Sequence, residues 1–176
     1  MSSSMVVWCW QSFAELKLEQ LHAILAARQE VFIVGQALNY VDADHLDREA
    51  WHLSAWHEGQ EGSGLAAYLR VVPLDGTREK YLSPSDLSSG RRVYKIGRVL
   101  TRPAFRGRGL GLELMEQLLN RVAENWGPCR LTMSAQSYLE AFYQKFEFER
   151  EGEPYLEEGL EHIRMSRNLS SHLDPE

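Results

Sequence analysis

The chain has 176 residues and a mass of 20.2 kDa, and its 44% apolar and 25% charged residues are typical of one globular domain rather than a disordered chain. Its net charge of −6 opposes general attraction to nucleic acids, and its longest apolar run, six residues at 5–10, is far shorter than the roughly 20 residues of a membrane span. The N-terminal Met-Ser-Ser-Ser lacks the basic and apolar regions of a signal peptide, so we expect a cytoplasmic protein. A content of only two cysteines suits a reducing compartment, and we expect neither a disulfide framework nor a zinc knuckle.

The first half of the chain alternates strand and helix patterns. A short buried strand is predicted at 5–10, followed by a helix over 18–34 whose apolar residues recur at three- and four-residue steps. Residues 40–50 are typical of a loop or a short helix, and two further strands are predicted at 52–57 and 65–72. Residues 73–90 are rich in Ser, Pro and Gly, which predicts a mobile loop insertion between strands.

The second half begins with a predicted strand at 92–101 and continues, after a glycine-rich turn, with the clearest helix, 110–126. A strand is predicted at 131–135. Ser137 and Glu140 form the pattern of a capping box, which predicts a helix from Ser137 as N-cap to about residue 146. Weaker strand patterns lie at 153–155 and 162–167, and helices interleaved with strands favour an α/β fold.

Charged residues are unevenly distributed along the chain. Seven basic residues and no acidic residue lie between Arg91 and Leu112, whereas acidic residues are concentrated at 42–49 and 147–161. Each acidic group is either a solvated surface or, by charge complementarity, a surface that attracts a cationic amine. Because the basic stretch ends at the glycine-rich turn, we expect an anionic ligand there.

The glycine-rich turn consists of Arg106, Gly107, Arg108, Gly109, Leu110 and Gly111. It precedes a predicted helix, where N–H groups without partners and the helix macrodipole attract phosphate and where glycine allows a close approach. It lacks the Lys-Ser or Lys-Thr of a Walker A loop and the G-x-G-x-x-G register of a Rossmann fingerprint. The alternative is a tight turn that binds nothing.

The R-x-x-G-x-G pattern of Arg106, Gly109 and Gly111 resembles the pyrophosphate loop of the GNAT (Gcn5-related N-acetyltransferase) superfamily. The resemblance extends to residues 95–99, 135–136 and 141–146. Arg28-x-x-Val31-Phe32-x-Val34 and His162-Ile163-x-Met165 are similar to the ElaA-like branch, so that nearly the whole chain is covered. The resemblance implies a single-domain α/β (α+β) acyl-CoA N-acyltransferase fold over 1–176, with a mixed, mostly antiparallel sheet that is splayed at its centre and flanked by helices.

The resemblance also implies acetyl-CoA as cosubstrate, no metal, and direct transfer of the acetyl group to an amine in a ternary complex. The residues it assigns to cofactor binding are Val99, Leu100 and Thr101 on the strand, Arg106, Gly107, Arg108, Gly109, Leu110 and Gly111 in the loop, and Gln136. Tyr143 matches the position of the family's general acid. Its chemistry suits this role, because a phenol with a pKa of about 10 stays protonated and can give its proton to the leaving thiolate. The alternative is that Tyr143 packs in a core stripe.

Two positions depart from the family pattern. Glu147 stands where glycine is common, and a positive φ there would cost about 1 kcal/mol or more. Residues 95–101 contain no acid, although many relatives carry a glutamate base there. The base therefore stays open among Glu157, Glu158, His162, Asp44 and His45, with loss of the proton to water as a further alternative.

The remaining histidines do not predict a metal site. His52 and His57 are five residues apart on a predicted strand, hence on opposite faces. A surface or hydrogen-bonded role is expected for each histidine.

Two functions are consistent with these patterns. The first is an acetyl-CoA-dependent N-acetyltransferase that acts on a primary amine of a small molecule or peptide. The alternative is a non-catalytic acyl-CoA-binding or interaction module of the same fold. The expected partners are acetyl-CoA and an amine substrate, with no nucleic acid and no membrane, and a homodimer is a possible assembly.

Overall fold

Seven strands and four α-helices make up the part of the chain that the structure describes. The computed structural model describes residues 6–57, 64–74, 78 and 81–170. In chain order the elements are β1 (Val6–Ser12), α1 (Leu18–Arg28), β2 (Trp51–His57), β3 (Leu65–Leu74), α2 (Pro84–Ser88), β4 (Val93–Thr101), α3 (Leu110–Trp126), β5 (Cys129–Gln136), α4 (Glu140–Gln144), β6 (Glu149–Glu157) and β7 (Leu160–Leu169). Residue 5 of the first predicted strand lies outside the described residues.

The strands form a sheet in the order β1-β2-β3-β4-β5-β7-β6. The pairs β1/β2, β2/β3, β5/β7 and β6/β7 are antiparallel, and β4/β5 is parallel. The parallel register joins Val93–Ile96 to residues 130–133, and both strands continue beyond it, β4 to Thr101 and β5 to Gln136. The predicted fold, a mixed and mostly antiparallel sheet with flanking helices, is confirmed.

Contacts divide the chain into two compact units. The first contains Met1–Val71 and Arg98–Leu118, and the second contains Val72–Gly97 and Leu119–Glu176. β4 and α3 each contribute residues to both units.

The core of the first unit combines α1 with β3. Apolar residues at helical spacing in α1 and in the turn that continues it, together with residues of β3 and β4, form one buried cluster: Ala23, Ile24, Ala27, Val31, Leu65, Tyr68 and Leu100. The predicted helix over 18–34 is confirmed, although Gln29–Val34 continues α1 as a π-helical turn.

In the second unit, β5 and β7 separate an apolar face from a polar face, because successive side chains point to opposite sides of a sheet. On one face Leu131, Met133, Ile163 and Met165 are buried. The other, which we call the polar face, carries directly paired residues of β5 and β7: Arg130 with Asn168, Thr132 with Ser166, Ser134 with Arg164, and Gln136 with His162.

Residues 84–88 form the helix α2, which differs from the loop predicted for 73–90. Ser83 caps α2, since its hydroxyl accepts from the Asp86 N–H at 3.1 Å and its own N–H donates to the Asp86 carboxylate at 2.8 Å. Asp86 is 2% exposed and pairs with Arg130 and Arg164, which both bind Glu151. We call these four residues the α2 anchor. They hold a five-residue helix on strands that lie far away in sequence.

Helix α3 begins and ends as predicted, at Leu110 and Trp126, and its apolar face is buried. The capping box at Ser137 is wrong. Ser137–Leu139 forms a 3-10 turn, α4 begins only at Glu140, and the buried Ser137 hydroxyl has no hydrogen-bond partner among the described residues.

Candidate functional site

The glycine-rich loop 106–111 lies in the first unit and leads directly into α3. Gly107 and Gly109 have φ angles of 73° and 82°, in the left-handed region that favours glycine. A Cβ atom built on Gly107 would meet nothing within 4 Å, and one on Gly109 only the Glu113 carboxylate at 4.0 Å. The loop therefore presents its backbone to open space.

The backbone donors of this loop suit an anion. The carbonyl of Gly109 accepts from the N–H groups of Leu112 and Glu113 at 2.9 and 3.1 Å, so α3 starts here. The N–H groups of Leu110 and Gly111 belong to the first turn and have no intrahelical acceptor. Arg106 and Arg108 are exposed beside them. The positive-φ glycines, first-turn donors and two cations fit the pyrophosphate of an acyl-CoA.

The same unit contains the predicted pantetheine strand. Leu100 is buried in the core, while Val99 and Thr101 are half-buried. The Arg106 Nε donates to the Thr101 carbonyl at 3.1 Å, which ties the loop to the end of β4. The structure thus brings Val99, Leu100 and Thr101 together with the loop.

Arg98, immediately before this strand segment, has a left-handed backbone with φ of 56°. Such a conformation costs a non-glycine residue about 1–2 kcal/mol and persists where surrounding contacts impose it. The Arg98 guanidinium pairs with Asp42 at 2.7 Å, donates to the Asp42 carbonyl at 3.1 Å and lies over the Tyr40 ring at 5.7 Å.

Arg98 belongs to a closed ring of ion pairs that the sequence did not predict. Arg28 binds Asp42 at 2.7 Å and Asp47 at 2.6 Å, Arg70 binds Asp47 at 2.5 Å and Asp44 at 2.6 Å, and Arg98 joins Asp42 to Asp44. We call these six residues the Arg–Asp ring. A possible sequence signal is Arg28, a cation within an otherwise apolar helix pattern that precedes the acidic group 42–49.

The Arg–Asp ring corrects two expectations about the acidic group 42–49. Asp42, Asp44 and Asp47 are each paired with arginine, so these carboxylates do not attract a cationic amine. Burial raises the pKa of Asp44, but its hydrogen bond to Arg70 and the charges of Arg70, Arg98 and Arg28 outweigh burial and bring the pKa below its usual range. Asp44 is therefore a weak proton acceptor and fails as the general base.

His52 is a structural histidine, in agreement with the expectation. Its Nε2 lies 3.0 Å from the carbonyl of Asp47, which can only accept, and its Nδ1 lies 2.7 Å from the Tyr68 hydroxyl. Burial lowers the pKa of His52 to about 4, so the ring is neutral near pH 7. No group of three or more His, Cys, Asp or Glu side chains suited to a metal occurs among the described residues.

Tyr143 lies in α4, in the second unit, and is 4% exposed. Its ring packs edge-on against Phe142 and Phe148 at centroid distances of 5.1 and 6.3 Å. Burial raises the pKa of its hydroxyl above the ordinary value, so the proton is retained at neutral pH. The Tyr143 ring therefore packs in the core, and its hydroxyl keeps the proton that a general acid needs.

The turn after α4 contains Glu147 with φ of 59°, so the glutamate occupies the backbone conformation that favours glycine. The Glu147 carboxylate pairs with Arg167 at 2.7 Å, and the second Arg167 nitrogen donates to the Phe146 carbonyl at 2.7 Å. Glutamate is thus accommodated in a backbone conformation that favours glycine.

Gln136 lies at the end of β5 in the second unit, directly opposite His162. Beside this pair, the Ser134 hydroxyl lies 2.5 Å from the Tyr155 hydroxyl and donates to the Glu157 carboxylate at 2.7 Å. The Nδ1 of His162 donates to the Leu160 carbonyl at 2.9 Å. Of the base candidates, Glu157 and His162 therefore lie on one face of the sheet, whereas Glu158 lies in the β6–β7 turn with φ of 49°.

The sequence is similar to a known protein family and to proteins of several bacteria. A family model described as Acetyltransferase (GNAT) domain matches residues 85–169. A UPF0039 protein of Synechocystis is 38% identical over 158 residues, which are 90% of this chain and 92% of the relative. ElaA of Escherichia coli is 32% identical over 167 residues, or 94% of this chain and 98% of ElaA.

Solved structures of similar proteins match the fold of this chain. An acyl-CoA N-acyltransferase from Pseudomonas aeruginosa matches with a TM-score of 0.76 and 38% identity, covering 93% of this chain and 99% of that one. The crystal structure of Escherichia coli ElaA matches with a TM-score of 0.76, 33% identity and coverage of 93% and 99%. Among the described residues, no helix is long and apolar enough to span a membrane.

Proposed function

Because this chain belongs to the GNAT acyltransferase family, in the branch that contains ElaA and the UPF0039 proteins, we propose that it transfers an acetyl group from acetyl-CoA to a primary amine. The observation that carries the proposal is the loop 106–111, with its positive-φ glycines, its first-turn N–H groups and two exposed arginines. These features suit a pyrophosphate, and the Arg106 contact to Thr101 joins the loop to the strand proposed for the pantetheine arm.

In this proposal the backbone of Val99, Leu100 and Thr101 binds the pantetheine arm, and the loop 106–111 binds the pyrophosphate. Gln136 completes the cofactor contacts. Acetyl-CoA supplies a thioester whose carbonyl carbon the amine attacks. The buried and protonated Tyr143 gives its proton to the departing sulfur as general acid, and holding both reactants in one complex removes much of the entropic barrier.

The loop assignment is tested by charge reversal. In the double variant R106E/R108E we expect the rise in melting temperature caused by acetyl-CoA to disappear, because both cations beside the first turn are replaced by anions. The variant K17E/R48E carries the same change in net charge on exposed positions outside the loop and serves as the control. An unchanged shift in R106E/R108E would show that the pyrophosphate binds elsewhere.

The enzymatic function is tested by a screen of polyamines, amino acids, aminoglycosides and basic peptides with release of free CoA as the readout, run with acetyl-, propionyl- and butyryl-CoA. We expect acetyl transfer to at least one amine, and Y143F should lose rate while its thermal shift with acetyl-CoA persists. Binding of acetyl-CoA without transfer to any amine would favour the non-catalytic module.

A further inference from the structure

A cluster of four polar side chains lies at one end of the polar face in the second unit. It consists of Ser134 from β5, Tyr155 and Glu157 from β6, and His162 from β7, and we call it the acceptor cluster. Tyr155 and His162 are directly paired across the strands, and their rings stack with centroids 6.3 Å apart. Three strands therefore fix the cluster.

The Glu157 carboxylate accepts a hydrogen bond from the Ser134 hydroxyl and keeps lone pairs that can accept further hydrogen bonds. The single Ser134 proton goes to Glu157, so the Tyr155 hydroxyl must donate to the Ser134 oxygen. Glu157 has no cationic partner among the described residues, whereas neighbouring acids do: Glu151 pairs with Arg130 and Arg164, and Glu147 with Arg167. Glu157 is thus an oriented and uncompensated carboxylate.

The hydrogen bond of His162 fixes its tautomer. Its Nδ1 lies 2.9 Å from the Leu160 carbonyl, which can only accept, so Nδ1 carries the proton. In the neutral ring the lone pair is therefore on Nε2, which has no hydrogen-bond partner among the residues described. The Nε2 lone pair is therefore available to accept a hydrogen bond from a ligand.

The acceptor cluster lies near the carboxyl end of β5, within the second unit. β5 runs parallel to β4, and ligands of α/β sheets bind beyond the carboxyl ends of parallel strands. Ser134 lies near the carboxyl end of β5, and His162 faces Gln136, the last residue of that strand.

We propose that the acceptor cluster binds the amine substrate as its ammonium ion and prepares it for acetylation, an inference that rests on the proposed acetyltransferase function. Glu157 and the Tyr155 ring hold the cation, which selects primary amines that are positively charged. His162 Nε2 takes one proton from R–NH3+ and later releases it to solvent. The free amine forms the C–N bond as the C–S bond breaks, and loss of its second proton balances the proton that the thiolate receives from Tyr143. The products are an N-acetylated amine, CoA and one net proton.

The role of His162 is tested by chemical rescue. With the best amine of the screen, H162A should lose about 100-fold in kcat with little change in the KM for the amine, and added imidazole should restore part of the rate. H22A, at an exposed histidine of α1, should behave as wild type and should not respond to imidazole. Full activity of H162A, or lost activity without rescue in a variant that keeps its melting temperature and its acetyl-CoA shift, would overturn the assignment.

The role of Glu157 is tested by binding as well as kinetics. E157Q should raise the KM for the amine about tenfold and weaken binding of 1,5-diaminopentane in calorimetry, because one charge-assisted contact is lost. The neighbouring E158Q should change neither quantity. Equal effects of the two variants would overturn the assignment of Glu157. A wild-type protein that acetylates no amine would instead refute the proposed function, so the two failures can be told apart.

Discussion

Glu147 shows how one side chain can occupy a backbone conformation that favours glycine. Its φ of 59° places it in the left-handed region, and its carboxylate, which is 78% exposed, pairs with Arg167. An ion pair this exposed contributes at most about 1 kcal/mol, comparable to the cost of the conformation itself. The position is therefore close to neutral for stability.

The strain at Glu147 is measured by comparing E147G with E147A. Both lose the ion pair, but only alanine keeps a Cβ at positive φ, so we expect E147G to be about 1 kcal/mol more stable in urea unfolding. Glu149, on the extended strand β6, provides the control, because there E149G should be less stable than E149A. The same order at both positions would contradict a strained turn.

His52 makes the stability of the protein depend on pH. Its folded pKa of about 4 lies below the unfolded value of 6.5, so the unfolded chain binds more protons between these values. The contribution of His52 to the free energy of unfolding is fully present above pH 6.5. It is lost as the pH falls toward 4, which lowers the free energy of unfolding by up to about 3 kcal/mol.

This dependence is measured by urea unfolding at pH 7.5, 5.5 and 4.5. H52N should remove most of the slope between pH 6.5 and 4, whereas H22N, at an exposed position, should retain it. Burial raises the pKa values of Asp44, Asp47 and Asp86, but arginine partners, and for Asp86 first the Ser83 N–H, outweigh burial and bring these pKa values below their usual range. These carboxylates therefore lose their stabilising effect only at more acidic pH. A steep slope in H52N would assign the effect to other groups.

Among the elements, β4 depends on partners from distant segments. The Arg–Asp ring joins α1, the turn at His45–Glu49, β3 and β4, and it holds Arg98 in its left-handed conformation directly before Val99. The ring thus sets the backbone of the strand that we propose for the pantetheine arm.

Removing one charge from the Arg–Asp ring should be costly. D42N preserves the shape of the side chain but leaves Arg28 and Arg98 without full compensation, so we expect a loss of about 3–5 kcal/mol in the free energy of unfolding. The acetyl-CoA thermal shift should also shrink in D42N. E19Q, at an exposed carboxylate of α1, should change stability by less than about 0.5 kcal/mol. A loss below 1 kcal/mol in D42N would show that the ring is not essential.

The elements also show what the sequence could predict. Helix α3 is long and strongly periodic, so its bounds follow from pattern alone. Helix α2 has five residues and no periodicity, and Asp86 is fixed by Arg130 and Arg164, which lie 44 and 78 residues away. The start of α4 was missed because a 3-10 turn comes first, a choice that tertiary packing can impose over a local capping pattern.

For the whole molecule, the net charge of −6 conceals a basic segment with exposed cations at Arg106 and Arg108. We expect the affinity for acetyl-CoA to fall severalfold as NaCl is raised from about 50 to about 500 mM, because salt screens exposed charges. Calorimetry of the wild type at both salt concentrations checks this, and K17E/R48E, whose changes lie outside the loop, should show the same dependence. A wild-type affinity that does not respond to salt would argue against an electrostatic loop.

Short sequence motifs predicted parts of the candidate site, whereas contacts between distant segments were not predictable from the sequence. The glycine-rich turn at 106–111 follows from a short motif, and its glycines Gly107 and Gly109 have positive φ, while its binding of pyrophosphate stays a prediction. For the acidic group 42–49, the alternative of a surface for a cationic amine is wrong, because Arg28, Arg70 and Arg98 reach these carboxylates from other elements. Charges in sequence indicate function only where no tertiary partner neutralises them.

The Arg–Asp ring also has a kinetic consequence. The two residues of each ion pair lie between 14 and 56 residues apart in sequence, so the ring closes only after several segments have assembled. Because closure of the ring needs these segments to be assembled already, we expect its ion pairs to form after the rate-limiting barrier. We therefore expect substitutions in the ring to accelerate unfolding and to leave the folding rate nearly unchanged, so that the ring determines how long a folded molecule lasts.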